Sequence, residues 1–193
     1  MISVGTDSAD VEIGLLSGML RCPTCDGELG PWGYGRFRLI RMLGSTQFVK
    51  PRRSRCRVCK KTHILLPNDL LVRRRDGVEV IGDALVMASG DPDPLAIAIH
   101  FNRALQTVRG WLSRFGSGAG RVREHFSRWA VSLDSESFEI PPAGSAFNNA
   151  IAAISAAGNA AVRKGIAVSP WQFASAVTIN GLLSNTTSFW PDP

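Results

Sequence analysis

Four cysteines occur in two pairs, each with a two-residue gap: "CPTC" at Cys22–Cys25 and "CRVC" at Cys56–Cys59. Such a gap lets both sulfur atoms of a pair face one point on a tight turn. Two such turns supply the four ligands of a tetrahedral Zn²⁺ site. Because four thiolates saturate the ion and leave no position for water, the predicted site is structural and not catalytic.

Other uses of these cysteines must be weighed against zinc. A disulfide framework is disfavoured in a cytoplasmic chain, where thiols stay reduced. A thioredoxin-like redox pair needs a βαβ context, whereas the residues between the pairs predict a hairpin. An iron–sulfur cluster also takes four thiolates, so the spacing leaves the metal open. Reduced cysteines in an ordinary core are a further alternative. His63, four residues after Cys59, is predicted to be a strand residue and not a ligand.

The second cysteine pair lies in a strongly basic stretch. Residues 49–67 contain seven Lys and Arg, and residues 1–75 contain 14 Lys and Arg against 6 Asp and Glu. This clustering favours a polyanionic partner over a merely solubilising surface. A ribbon stiffened by metal would present the cations to phosphates, each adding salt-sensitive affinity. The predicted phosphate contacts are Arg52, Arg53, Arg55, Arg57, Lys60 and Lys61.

Short strands are predicted around the cysteines. "RFRLIRML" and "TQFVKPRR" flank Gly44-Ser45, which is typical of a hairpin turn, and "HILLP" predicts a third strand. After the first pair, Asp26-Gly27 tolerates positive φ and can turn backbone amides towards the sulfurs. Lys60-Lys61 holds the equivalent place after the second pair.

Residues 76–130 change to helical periodicity. "VEVIGDALVMAS" predicts one helix, "LAIAIHF" predicts a second with Asp93 as its N-cap, and "LQTVRGWLSRF" predicts a third. The glycines at 116, 118 and 120 are predicted to end the third helix. Asn102 lies in the turn between the second and third helices and tolerates the left-handed conformation there. The pattern predicts a helix-turn-helix unit, with an ordinary three-helix bundle as the alternative.

The third predicted helix carries the residues expected to contact DNA. Its apolar side chains fall on one face, so the opposite face is polar. Because a recognition helix contacts base edges with its N-terminal half, Gln106 and Arg109 are predicted to contact bases. Thr107 and Arg114 are better placed for phosphates, and Ser113 shares the exposed face.

Residues 131–193 show no catalytic pattern. A two-metal site for in-line phosphoryl transfer needs three carboxylates, and this part of the chain offers only Asp134, Glu136, Glu139 and Asp192. His100 and His125 are predicted to be solvated. "EIPPAGS" is a predicted linker, "AFNNAIAAISAAGNAAVRKG" and "PWQFASAVTINGLLS" predict two weak helices, and "NTTSFWPDP" a loose tail. We therefore predict that the protein is not an enzyme.

Targeting and membrane signals are not apparent in the sequence. "MISVGTDSADVEIG" is acidic and lacks the apolar run of a secretory signal. No stretch approaches the roughly 18 uninterrupted apolar residues of a membrane-spanning helix. The sequence therefore predicts a cytoplasmic protein with neither a membrane nor a small molecule as its partner.

The predicted fold class is α+β. It consists of a β zinc ribbon at residues 1–75, an all-α helix-turn-helix domain at 76–130, and a linker with an Ala-rich helical extension at 131–193. The strands and helices differ in hydrophobic period, which places the first boundary near residue 75.

Three stretches resemble a family of bacterial zinc-ribbon and helix-turn-helix proteins associated with insertion sequences, similar to the N-terminal DNA-binding parts of transposases. They are "RCPTCDGELGPWGYGRFR", "RSRCRVCKKTHILLPNDLL" and "IAIHFNRALQTVRGWLSRF". The resemblance implies binding to element-end or operator DNA, with Cys22, Cys25, Cys56 and Cys59 as ligands of a structural Zn²⁺. It implies no catalytic residue. Asn102 in the turn and Lys60 after the second pair depart from the family pattern.

Three functions remain as hypotheses. The favoured one is recognition of double-stranded DNA by a transposition accessory protein or transcriptional regulator. The second is an adaptor whose ribbon and C-terminal helices contact another protein, such as a separate transposase catalytic subunit. The third is a degenerate enzyme fragment.

Overall fold

The computed structural model describes residues 1–135, 143–184 and 190–193. Strands dominate the first third of the chain and helices the remainder, which confirms a mixed fold with an N-terminal sheet. In chain order the elements are β1 (Ile2–Val4), α1 (Ser8–Leu16), β2 (Leu29–Tyr34), β3 (Arg38–Arg41), β4 (Thr46–Val49), β5 (Arg52–Cys56), β6 (Thr62–Pro67), α2 (Val78–Ser89), α3 (Pro94–His100), α4 (Leu105–Leu133), α5 (Ala146–Arg163) and α6 (Pro170–Val177).

The N-terminal sheet has four strands in the order β1-β6-β5-β2. β1 runs parallel to β6, whereas β5 is antiparallel to both of its neighbours. A small core under the sheet contains Leu15, Leu29 and Leu65 together with two of the cysteines. The sequence pattern did not predict β1, α1 or β2, and it predicted one strand at "TQFVKPRR", which the structure divides between β4 and β5. The β2 sequence "LGPWGY" argues against a strand, but β2 lies at the edge of the sheet, where proline is tolerated.

The predicted hairpin around Gly44 is confirmed. β3 and β4 pair antiparallel with Arg41 opposite Thr46, and Gly44 has a φ of 67°. The hairpin is a separate two-stranded sheet inserted between β2 and β5. Its Ile40 packs with Leu66 and Leu70, so the insertion lies over the connection from the ribbon to the helices. The strand predicted at "HILLP" is also confirmed, as β6.

The five helices from α2 to α6 share one hydrophobic core. The predicted α2 and α3 are confirmed, and the Asp93 side chain accepts a hydrogen bond from the Leu95 amide at 2.9 Å as an N-cap. The two predicted C-terminal helices are also present; α5 packs along α4, and α6 contacts α5 and α2. The core is therefore continuous across residue 130, where the sequence predicted a boundary.

The prediction that three glycines end the third helix is wrong. α4 continues through Gly116, Gly118 and Gly120 to Leu133. Each helical glycine costs about 1 kcal/mol relative to alanine, whereas burying a side chain such as Phe126 stabilises by about 1.5–3 kcal/mol. The second half of α4 buries several such side chains in the shared core, and this burial outweighs the glycines.

Predictions near the C-terminus are partly corrected. His125 was predicted to be solvated, but it is 2% exposed and lies against the rings of Phe126, Trp129 and Trp190. Trp190 is buried, so this part of the tail is packed. His100 is exposed, as predicted. Several predicted features lie outside the described residues. They are most of the predicted linker, Glu136, Glu139, and residues 185–189 of the predicted tail. Among the helices that are described, none combines the length and apolar character needed to cross a bilayer.

Candidate metal centre

The two cysteine pairs lie on turns of the same backbone geometry. The first turn lies between α1 and β2, and the second between β5 and β6. In each turn the first cysteine amide donates a hydrogen bond of 2.9 Å to a carbonyl five residues later, that of Gly27 or Lys61. The residue after the second cysteine is left-handed in both, with φ values of 55° at Asp26 and 61° at Lys60. Lys60 thus adopts the positive φ that the sequence predicted for Asp26-Gly27 after the first pair.

The four sulfur atoms converge on one point. All four lie within 4.8 Å of one another. The Sγ atoms of Cys22 and Cys59 are 3.7 Å apart, and those of Cys25 and Cys56 are 3.5 Å apart. A tetrahedron with metal–sulfur bonds of about 2.3 Å has sulfur–sulfur edges of about 3.8 Å. The cluster therefore fits a tetrathiolate metal site, and the surrounding strands fit a zinc-ribbon-like region.

Neighbouring groups shape the cluster. Nε2 of His63 lies 3.4 Å from Sγ of Cys22, within hydrogen-bonding distance. His63 is a strand residue, as predicted, but its contact with Cys22 was missed. The alternation along β6 could have indicated it, because His63 points to the same side as the buried Leu65. A Cβ at Gly27 would lie 3.0 Å from the Cys56 sulfur and 2.7 Å from Val58 Cγ2, so only glycine fits.

Hydrogen bonds make ionisation of the thiols unequal. Burial opposes ionisation of Cys22, but hydrogen bonds with the backbone of Thr24 and Cys25, and with the Cys59 and His63 side chains, lower its pKa to about 6. A hydrogen bond with the Lys61 backbone favours the Cys59 thiolate, but burial and the three neighbouring thiols raise its pKa to about 11. A bound cation favours the thiolate form at every ligand.

Several basic residues predicted to contact phosphates also form contacts within the ribbon. Arg52, with 15% of its side chain exposed, forms an ion pair with Glu12. Arg57 pairs with Glu28 at 3.1 Å. The Arg55 guanidinium lies 4.5 Å from the centroid of the Trp32 ring, and Lys60 donates to the Arg57 carbonyl at 2.6 Å. Arg53 is half-buried and Lys61 is exposed.

The other residues that the sequence predicts to contact DNA lie in the first three turns of α4. The side chains of Gln106, Arg109 and Ser113 are exposed and make no hydrogen bond or ion pair within the described ranges. Thr107 is half-buried, and so is Arg114, whose Nη1 donates to the Gly110 carbonyl at 2.7 Å. The turn before α4 contains Asn102 with a φ of 50°, the left-handed conformation predicted for it.

Asp76 joins the inserted hairpin to this turn. The carboxylate is buried and accepts hydrogen bonds from Arg41 Nη2 at 2.7 Å and from Arg103 Nε at 2.5 Å. Arg103 also donates to the Phe101 carbonyl at 2.7 Å. The position of β3 is thereby tied to the turn that leads into α4. Sequence analysis missed Asp76, because its partners are 35 and 27 residues away.

Comparison with known proteins gives one similarity. No curated protein and no solved structure matches the chain significantly. A family model described as a domain of unknown function, DUF6431, matches residues 22–101. The match runs from the first cysteine ligand to the end of α3, so the four-cysteine cluster and α2 lie within the region that is similar to this family.

Proposed function

We propose that this protein is a non-catalytic, zinc-stabilised DNA-binding protein that recognises duplex DNA through α3, the following turn and α4. The observation that carries the proposal is the polar face at the start of α4. Gln106, Arg109 and Ser113 are exposed there, while Val108, Trp111 and Phe115 on the opposite face are buried. A helix held by its apolar face can enter the major groove with its polar side chains.

The entry to α4 also suits a phosphate contact. Ala104 at its N-cap has no side chain that could accept hydrogen bonds from the first amides of the helix. Free amides at a helix N-terminus attract phosphate oxygens. The turn is fixed by Arg103 and Asp76, so α4 has a defined orientation before DNA arrives.

We assign Zn²⁺ to the tetrathiolate site as a structural ion. The ribbon core is small, so metal binding would supply much of its folding free energy. Through Arg41 and Asp76, the hairpin inserted in the ribbon contacts the turn before α4. A role in transposition or transcriptional regulation rests on the sequence resemblance described above.

The test is a selection on random duplexes at fixed salt, followed by binding curves for the selected sequence. Arg109→Ala is expected to weaken binding to that sequence and relax preference at one position. A bidentate arginine–guanine pair is worth about 1–3 kcal/mol of discrimination, or roughly 5- to 150-fold. The matched control is Arg123→Ala, which removes the same charge from an exposed position of α4 about 21 Å further along the helix.

The control variant should retain the preference of the original protein. If no sequence is enriched, or if both variants lose affinity equally on all duplexes, specific recognition by α4 is refuted.

A second candidate function is supported by apolar side chains on the inserted hairpin. Leu39 and Phe48 are directly opposite each other on β3 and β4 and are 49% and 76% exposed. Such an exposed pair is typical of a protein contact. Under this alternative, the chain is an adaptor for a catalytic partner, such as a transposase subunit. Co-purification with that partner that is lost in Phe48→Ser but kept in Arg109→Ala would favour the adaptor.

A further inference from the structure

Three consecutive arginines, Arg73, Arg74 and Arg75, lie in the connection between β6 and α2. Sequence analysis assigned them no role. Arg73 and Arg75 are exposed, and neither forms an ion pair within the part of the chain that the structure describes. They differ in this respect from Arg52 and Arg57 of the ribbon, whose charges are offset by glutamates.

The three arginines face the inserted hairpin across a cleft of about 570 Å³. The hairpin side of the cleft adds Arg38, Arg41 and the apolar side chains of Phe37 and Leu39. Among the residues that the structure describes, no carboxylate lines it. Asp76, which follows Arg75 in the sequence, is buried, and its carboxylate is already bound by Arg41 and Arg103. The cleft therefore carries a concentrated positive charge.

The backbone that bears these arginines is held in place. The Val72 amide donates to the Asn180 carbonyl at 2.9 Å, and the Arg41 amide donates to the Arg75 carbonyl at 2.8 Å. Nη2 of Arg74 donates to the Leu183 carbonyl at 2.7 Å. Since the segment that follows α6, the hairpin and the arginine run are tied together, the cleft is formed before any ligand binds.

The cleft also adjoins α4. Arg41 on the cleft and Arg103 in the turn before α4 bind the same Asp76 carboxylate. Burial lowers the pKa of Arg74, and repulsion from Arg114 on α4 lowers it further. Arg114 lies five residues, or somewhat more than one turn, beyond Arg109 on α4. A polyanion contacting the start of α4 could therefore continue into the cleft.

We propose that this arginine cleft binds phosphate groups of the DNA backbone beside the segment contacted by α4. The inference rests on the proposed function and adds Arg38, Arg73 and Arg75 as backbone contacts. Guanidinium forks suit phosphate oxygens, and such contacts add affinity without sequence preference.

The experiment measures affinity at several salt concentrations for the selected duplex and for a scrambled one. The double variant Arg73→Gln/Arg75→Gln keeps a polar side chain at each position and removes two charges. Loss of two phosphate contacts should reduce the slope of log K against log[salt] by about 1.8. The same relation predicts an affinity loss of about eightfold per contact at 0.1 M salt, equal on both duplexes. Arg123→Gln is the matched control and should change neither duplex appreciably.

The outcomes separate this inference from the proposed function. If the double variant keeps the original slope while Arg109→Ala loses preference, the cleft proposal is overturned and the proposed function stands. If the original protein binds both duplexes equally and the double variant binds both more weakly, the result supports the cleft proposal. The same result contradicts sequence recognition by α4. Absence of any duplex binding overturns both. Circular dichroism of each variant shows whether it folds, and Arg38→Gln provides an independent variant on the hairpin side.

Discussion

Replacing Gly118 and Gly120 with alanine is expected to stabilise the protein, because α4 runs through both positions. Each glycine in a helix interior costs about 1 kcal/mol relative to alanine, largely through its backbone entropy in the unfolded chain. A Cβ added at either position meets no atom within 4 Å, so no steric cost opposes the gain. Residues two apart do not face each other on a helix, so the effects should add to about 2 kcal/mol.

Urea unfolding at saturating zinc provides the assay, since bound metal contributes to stability by mass action and must be held constant. The midpoint should rise with an unchanged m value. For a chain of this size, the melting temperature should rise by about 4–8 °C for the double variant.

Two other glycines are the matched controls. A Cβ at Gly82 would lie 2.3 Å from Trp171 Cδ2, and one at Gly158 would lie 2.5 Å from Pro170 Cα. Alanine should destabilise at these positions by about 1–3 kcal/mol through overpacking. If alanine at 118 and 120 is neutral or destabilising, α4 is not continuous there, and the reasoning about its length fails.

Three further predictions concern the metal centre, the buried carboxylate and the buried histidine. Cys56→Ser should abolish stoichiometric zinc binding measured by elemental analysis and increase proteolysis of the ribbon; a fully metallated variant would contradict the tetrathiolate site. Asp76→Asn should destabilise the protein by about 3 kcal/mol in urea unfolding, because Arg103 is 11% exposed and would lose its counter-charge. A change below about 0.5 kcal/mol would show that the contact is dispensable. Burial lowers the pKa of His125, helped by Arg128, so the unfolded chain binds a proton that the native protein does not. The free energy of unfolding should therefore fall as the pH drops below about 7, and His125→Gln should flatten that fall; an unchanged pH profile would argue against it.

Local features made part of this structure predictable. Cysteine spacing indicated the metal turns, because a two-residue gap restricts where the sulfurs can point. Gly44 indicated the hairpin turn, and the period of α2 with the Asp93 cap indicated the helices. Each of these signals depends on residues only a few positions apart. The polar face with Gln106 and Arg109 followed from the same helical period.

Long-range packing decided the remainder. The sequence places Arg52 among seven basic residues, but Glu12, forty positions earlier, takes up its charge. The arginine cleft brings the hairpin against residues more than thirty positions further on. α4 continues through three glycines because its apolar face packs in a core that α5 completes. His125 is buried because it lies on that helix and packs against Trp190. Backbone propensity and hydrophobic period act over one or two turns, whereas charge pairing and burial depend on which distant segments meet. Charge and cysteine spacing in the sequence therefore indicated a basic chain with four candidate metal ligands, and the tertiary structure determined which of its cations are paired within the chain.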